Sequence, residues 1–383
     1  MPFFDQDHDD YRATVREYIA AYVEPAYDTW EAERLIDRSV WTPAAEAGLI
    51  GLDIPEQYGG LELHDWRFRM VVAEELNMAA APSLTIAFAV HDDLVLPYLL
   101  DLATDEQKER WLPRMASGEW IGAIAMTEPG AGSDLQAIRT TAVRDGQDWV
   151  LNGQKTFISN GVHADLVIVV AKTDPTAGAQ GFSLFVVETG MAGFERGRKL
   201  DKLGLHSQDT AELFFTDCRV PGANLLGEPG MGFVYLMQRL PRERLSIAVG
   251  AYAGARAVVR WAEDYVFERT AFGRRIGDFQ NTRFVLAEAE TEVDLTQAYI
   301  ERCVTKLNEG TLTTIEASKA KWWATELEGS VTTRMLQLFG GYGYMEEYPI
   351  ARAYRDCRVQ TIYGGTTEIM KEIIGRDIAG RYR

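Results

Sequence analysis

The spacing of apolar residues along this chain changes character twice. Over the first 120 residues it is helical. Val15, Tyr18, Ile19, Tyr22 and Val23 share one helix face, and Pro25 ends that run. Further helices are predicted over Trp41–Leu49, Phe68–Ala79, Ser83–Leu100 and Thr104–Ala116, with turns around Gly48, Pro55 and Gly59-Gly60 between the earlier ones. The last starts with a capping pattern in which Thr104 is followed three residues later by Gln107. From Trp120 to about Gly227 the segments become short and β-branched or aromatic. Strands are predicted over Trp149–Asn152, Lys155–Ser159, Leu166–Ala171, Phe182–Val187 and Ala211–Thr216. Several of these, Leu166–Val170 and Phe182–Val187 among them, carry apolar residues on both faces and must be covered on both. From Phe233 the helical period returns in long runs over Arg242–Arg269, Asn281–Glu309, Thr313–Leu338 and a last helix from Thr367. The chain therefore divides into a helical domain (1–120), a β domain (121–228) and a second helical domain (229–383), an α+β architecture.

Composition narrows the function. A formal charge of −18 speaks against nucleic acid and anionic membranes as partners. A local cluster such as Arg269, Arg274 and Arg275 still suits a small anionic ligand. The three cysteines, Cys218, Cys303 and Cys357, are odd in number and far apart, as expected in a reducing compartment. The five histidines form no zinc-binding pattern. The longest nearly apolar stretch, Met78–Val90, is short for a membrane span, and the acidic N-terminus lacks the features of a signal peptide. Both point to a cytoplasmic, bacterial location.

Five stretches can carry chemistry. AMTEPGAGSD (125–134) exposes backbone N–H groups at Gly130-Ala131-Gly132 and adds Thr127, Ser133 and Asp134. It suits a phosphate or the polar edge of a flat ring, but it is not a dinucleotide fingerprint. NGQKTFISNG (152–161) offers the Phe157 ring and the Ser159 hydroxyl. RTAFGRRIGDFQ (269–280) joins arginines to Phe272. In LPRERL (240–245), Pro241 is read as breaking the helical run, with Glu243 in the first turn of the helix that follows. A carboxylate there, among apolar neighbours, is a plausible tuned base. Gly340-Gly341 and Gly364-Gly365 bracket an aromatic, arginine-rich segment, and the second pair precedes a helix start that can serve an anion or carbonyl. Each stretch also has a plain alternative: a Pro-Gly turn, a strand between Asn-Gly turns, a solvated basic turn, a solvated charge cluster, or helix-capping glycines.

Together these motifs resemble the acyl-CoA dehydrogenase family. AMTEPGAGSD is similar to that family's first signature. Gln337–Asp356, with its QLFGGYGYMEE start, is similar to the second. The likeness also runs through HDDLVLPYL and LGLHSQDTAELFFTDCRVPGANLLG, and covers essentially the whole chain. The resemblance implies an N-terminal helical domain, a middle β-barrel or sandwich, and a C-terminal four-helix bundle. It also implies non-covalent FAD. Ala125, Met126, Thr127 and Ser159 would meet the flavin ring with Phe157 close by, and Gly132 and Ser133 would lie at the ribityl–pyrophosphate end. Arg269, Phe272, Gln280, Gln337 and Gly341 would reach the FAD of a neighbouring subunit, and Thr366 and Glu368 would match the family's contacts to the adenosine side of FAD. A site completed across subunits implies a homo-oligomer, a tetramer built as a dimer of dimers.

One departure from the family pattern selects the base. Many members carry the catalytic glutamate directly after the tyrosine of the last motif, where this chain has Gly364. The long-chain and isovaleryl branches place it in the helix that holds LPRERL, and Glu243 fills that position. IYGGTTEIM, QDTAELFF and EEYPIA resemble the long-chain branch most. The resemblance thus implies FAD-dependent α,β-dehydrogenation of a medium- to long-chain acyl-CoA to the trans-2-enoyl-CoA, as in fatty acid β-oxidation, with electron-transferring flavoprotein as acceptor. Ser133, Arg244, Gly364 and Gly365 would face the substrate, and the Gly364 N–H would polarise the thioester carbonyl. The family's aspartate two residues before the glutamate is Pro241 here, so its contact to the carrier is not carried over. The alternatives are a short branched-chain dehydrogenase, an acyl carrier protein dehydrogenase, a flavin oxidase and a non-catalytic flavin-binding subunit.

Overall fold

The structure, a computed structural model, describes residues 2–382. Helices α1 (Gln6–Tyr18), α2 (Tyr27–Glu33), α3 (Trp41–Glu46), α4 (Arg67–Met78), α5 (Pro82–Ala89), α6 (Leu96–Leu102) and α7 (Asp105–Ala116) form the N-terminal part. The capping box at Thr104 forms as its sequence requires, with Thr104 and Gln107 each accepting from the other's backbone N–H. A π-helical segment, Val90–Val95, joins α5 to α6. Its wider turn carries His91, Asp92 and Asp93 into the interior. The joined run Pro82–Leu102 has 21 residues, longer than the apolar stretch legible in the sequence. Among the described residues it is the one helix long and apolar enough to cross a membrane by length and composition, yet 78% of its most apolar window is buried inside the fold.

Strands β1 (Gly122–Ala125), β2 (Thr141–Asp145), β3 (Asp148–Ser159), β4 (Leu166–Lys172), β5 (Phe182–Glu188), β6 (Phe194–Lys199), β7 (Thr210–Val220) and β8 (Leu225–Leu226) form one hydrogen-bonded sheet in the order β6-β7-β3-β2-β4-β5-β8. Strand β1 adds to β4 in parallel. The sheet curls over a core shared by Leu151, Leu213 and Phe215 from one half and Val167, Val169 and Phe185 from the other. The opposite face of β4 and β5, with Ile168, Val170 and Leu184, packs on Trp111, Leu112 and Met115 of α7. This double burial is why both strands carry apolar residues on both faces.

The C-terminal part contains α8 (Gly232–Glu268), α9 (Gln280–Asn308), α10 (Thr314–Phe339), α11 (Pro349–Asp356) and α12 (Thr367–Gly380). Alanines such as Ala251, Ala255, Ala320 and Ala324 line its core. Pro241 does not break the chain: it sits inside the 37-residue helix α8, and Glu243 lies in mid-helix rather than in a first turn. Proline removes its own N–H and crowds the carbonyl four residues back, a local cost that packing can offset. Leu236 before it is anchored beside the sheet and Leu245 after it in the bundle core, so packing on both sides carries the helix across. Helix α4 packs on α8, and Trp66 and Met70 join the bundle core, which fixes the N-terminal helices against it.

Candidate active site

Glu243 is buried where α8 passes the N-terminal helices, with 4% of its surface exposed. The Tyr98 hydroxyl, at the start of α6, donates a 3.0 Å hydrogen bond to its Oε1. Burial pushes the carboxyl up to about 7, against the lowering pull of Tyr98, Arg244 and Arg239. The carboxylate lines a cavity of about 230 Å³. Met126, Thr127, Phe157, Ser159 and Gly364, drawn from three distant parts of the chain, line the same cavity. This is an arrangement a proton-abstracting site can use: a buried base poised near neutral pH beside a cavity lined mainly by apolar groups.

Gly364 and Gly365 have φ values of 61° and 98°, which favour glycine. A Cβ added at Gly364 would stand 2.3 Å from Cδ1 of Ile247, one helical turn after Glu243. The space that a side chain at 364 would need is therefore filled from α8. Behind the glycine pair, the buried Lys321 Nζ donates to the Gly365 carbonyl at 2.7 Å. Burial lowers Lys321 to about 8, with help from the Arg244 charge. Arg244 is itself buried; it donates to Ser318 Oγ at 3.4 Å, and its Nη2 lies 4.0 Å from where a Gly365 Cβ would be. Thr366 caps α12 through the Ile369 N–H, and Glu368 lies exposed in the first turn.

The 125–134 loop is braced from behind. Lys155 Nζ, fully buried, donates to Glu128 Oε1 at 2.8 Å and to the Met126 carbonyl at 3.1 Å. The Glu128 carboxylate also accepts from the Arg139 and Thr140 N–H groups. The Thr156 N–H donates to the Thr127 carbonyl at 2.9 Å. A register shift between Lys155 and Ile158 then turns Phe157 outward, at φ 59° and 67% exposed. Beyond it, a Cβ at Gly130 or Gly132 would meet nothing within 4 Å. An open loop rich in backbone donors beside an outward aromatic ring fits a flat heteroaromatic cofactor with a polar edge, as FAD has.

Several of the expected contact residues do not line this cavity. The Ala125 side chain is packed in the β core, so only its backbone can face a ligand. Gly132 and Ser133 are exposed and line no part of the cavity. Arg269, Gln280, Gln337 and Gly341 are also exposed. Phe272 stands 96% exposed at the tip of a small hairpin between β9 (Thr270–Ala271) and β10 (Arg274–Arg275). Arg275 is tied to Asp278 at 2.9 Å, so the three arginines do not form one free cluster.

The sequence offered little sign of a buried charge network under the cavity. Arg69 pairs with Asp92, lies 3.2 Å from Asp93 and 3.5 Å from Asp53, while Arg242 pairs with Asp53. Ser246 Oγ donates to Asp93 Oδ2 at 2.6 Å. Two acidic residues within an apolar run, His91-Asp92-Asp93, were the available signal. Arg242 and Arg244, flanking Glu243, are thus paired or buried rather than solvated.

Comparisons with known proteins match this arrangement over the full chain. Residues 5–119 match the acyl-CoA dehydrogenase N-terminal domain, 123–218 the middle domain and 230–379 the C-terminal domain. The long-chain specific acyl-CoA dehydrogenase of Sus scrofa mitochondria is 48% identical over 377 residues, 98% of this chain and 87% of that protein. The mitochondrial isovaleryl-CoA dehydrogenase of Solanum tuberosum is 35% identical, over 98% of this chain and 91% of that protein. The crystal structure of an acyl-CoA dehydrogenase from Geobacillus kaustophilus superposes with a TM-score of 0.95 at 48% identity, covering 98% of both chains. With three matching domains in order and the fold shared along its length, this chain belongs to the acyl-CoA dehydrogenase family, the FAD-dependent oxidoreductases that act on CH–CH bonds.

Proposed function

We propose that this enzyme acts on medium- to long-chain saturated acyl-CoA thioesters, with Glu243 as the α-proton base. The observation that carries this reading is the buried Glu243 carboxylate, which faces the same cavity as Gly364, Thr127, Phe157 and Ser159. Tyr98 occupies Oε1, which leaves Oε2 to take the proton. The Gly364 N–H polarises the thioester carbonyl and thereby acidifies the α-carbon. Lys321 holds the glycine pair in place from behind through the Gly365 carbonyl, with the buried Arg244 beside it. FAD, when bound, supplies the acceptor for the hydride that leaves the β-carbon. The product is the trans-2-enoyl thioester.

The contacts to FAD are assigned by the resemblance. Met126, Thr127, Phe157 and Ser159 meet the ring, joined by the Ala125 backbone. Gly132 and Ser133 lie at the ribityl–pyrophosphate end, with Ser133 also on the substrate side. Gly365 supports Gly364. Thr366 and Glu368 serve the adenosine. The exposure of Arg269, Phe272, Gln280, Gln337 and Gly341 supports a site completed by a second copy. We take the assembly to be a tetramer, the acceptor to be electron-transferring flavoprotein, and the location to be the cytoplasm.

The decisive experiment is anaerobic flavin bleaching against a ladder of acyl-CoA esters. Glu243→Gln is expected to retain FAD and fold but lose bleaching; bleaching at the wild-type rate would exclude Glu243 as base. The same ladder tests the short branched-chain reading, which the 35% identity to an isovaleryl-CoA dehydrogenase keeps in view. Fastest bleaching by isovaleryl-CoA would favour it.

A further inference from the structure

Helix α10 holds the chain on both sides of Gly364. Lys321 and Glu328 stand at positions i and i+7, so they share one face of that helix. Lys321 Nζ donates to the Gly365 carbonyl at 2.7 Å, just after Gly364. Glu328 Oε2 accepts from Gln360 Nε2 at 2.6 Å, just before it. Gln360 is buried in the short helical turn Cys357–Thr361, and it lines the cavity together with Tyr363 and Gly364. The Ile362 and Tyr363 N–H groups both turn back onto the Val359 carbonyl, so the turn that carries Gln360 leads directly to Gly364. Two adjacent glycines, at φ 61° and 98°, constrain the backbone little by themselves. The direction of the Gly364 N–H is thus set by the anchors on either side.

Glu328 is itself fixed. It is buried between α10 and α8, where a Cβ at Gly254 would stand 2.3 Å from its Oε1 and 3.5 Å from Asn77 Oδ1. Only glycine at 254 leaves room for the carboxyl. Burial, with the Asp356 charge adding to it, holds Glu328 well above the ordinary carboxylate range, and no cation offsets this. Glu328 is therefore a neutral acid, which can hold Gln360 without placing a charge beside the cavity.

We propose that Glu328 is a positioning residue for the reaction: through Gln360 it fixes the chain before Gly364, as Lys321 fixes it after, and so sets where the Gly364 N–H meets the thioester carbonyl. This rests on the reading of the Gly364 N–H as the polarising donor. The test saturates the FAD-loaded enzyme with trans-2-octenoyl-CoA, isotope-labelled at its carbonyl carbon, and reads the carbonyl stretch by infrared difference spectroscopy. In wild type the stretch should fall on binding, because a donor at the oxygen weakens the C=O bond. Glu328→Leu should lose much of that fall. Its kcat with octanoyl-CoA should drop by about tenfold to a hundredfold with little change in KM, the loss expected when a positioned group moves by up to about 1 Å. Glu328→Gln, which keeps a neutral acceptor of the same length, should stay close to wild type in both readings. Gln360→Ala should behave like Glu328→Leu, and it provides the reading if the leucine variant does not retain FAD. A wild-type stretch and kcat in either disrupting variant, with lower thermal stability as the only change, would reduce Glu328 to a packing role and overturn the inference. So would a loss in Glu328→Gln as large as in Glu328→Leu. Failure of the Gly364 reading would appear separately, as no fall of the stretch in wild type, and would overturn this inference with it.

Discussion

The Tyr98 hydroxyl and the Glu243 carboxylate are joined by a 3.0 Å hydrogen bond, although 145 positions separate them in the chain. Tyr98 is fully buried, and burial, with the Glu243 carboxylate adding to it, raises its phenol well above the usual range, so it stays a donor. It favours the ionised glutamate while burial opposes it. Removing it with Tyr98→Phe should therefore raise the apparent pKa of the base. A hydrogen bond to a charged group is worth about 1.5–3 kcal/mol, or roughly one to two pH units. The pH profile of flavin reduction should shift alkaline by that amount, and an unmoved midpoint would show that Tyr98 does not tune the base.

Glu243 also links stability to pH. Its carboxyl is raised from 4.5 to about 7 by burial, so the folded state holds its proton more tightly than the unfolded one. The favourable contribution is complete below pH 4.5 and is lost as pH rises through about 7. Activity runs the other way, because the base must be ionised: flavin reduction should rise through about pH 7 and then level off. Glu243→Gln, which cannot ionise, should gain a few kcal/mol over wild type in denaturant unfolding at pH 8. That gain should vanish at acid pH.

Lys155 is expected to matter through the loop it braces. Lys155→Met leaves the Glu128 carboxylate without its cation and frees the Met126 carbonyl. Breaking a buried pair on one side costs about 3 kcal/mol or more. Lower thermal stability and lower FAD content after purification should appear together. Normal FAD retention in a destabilised variant would separate the brace from the cofactor.

Moving the base tests the cavity's geometry. Gly364→Glu combined with Glu243→Gly should stay inactive, because Ile247 Cδ1 stands where the new side chain must start and φ at 364 is 61°. Adding Ile247→Ala clears that space. Measurable bleaching in the triple variant alone would identify Ile247 as the obstacle, whereas equal activity with and without that change would dismiss it.

Phe272, 96% exposed at a hairpin tip, should be covered in the assembled enzyme. Phe272→Ala is expected to lower FAD occupancy and shift sedimentation toward smaller species. A variant with full occupancy and unchanged sedimentation would place the subunit contact elsewhere.

Most of the architecture was legible from periodicity. The long helices, the strands apolar on both faces and the capping box at Thr104 follow from local patterns that the tertiary fold keeps, apart from the start of α8. Strands β2 and β6 escaped notice because half-exposed strands with few apolar residues, such as Phe194–Lys199, leave a weak signal. Pro241 reads locally as a helix break, whereas packing at Leu236 and Leu245 holds the helix together across it. The positions of Met126, Thr127, Phe157, Ser159, Glu243 and Gly364 around one cavity match the motifs that singled them out.

The sequence by itself determined the family and the absence of a side chain at 364, which directs attention to Glu243. Those are properties of residue identity in order. Only the tertiary structure decided what the Glu243 carboxyl is: its burial, the Tyr98 hydroxyl against it, and the Ile247 side chain filling the place beside Gly364. A carboxylate's proton affinity depends on the water it loses and the dipoles it gains, and both come from residues far away in the chain.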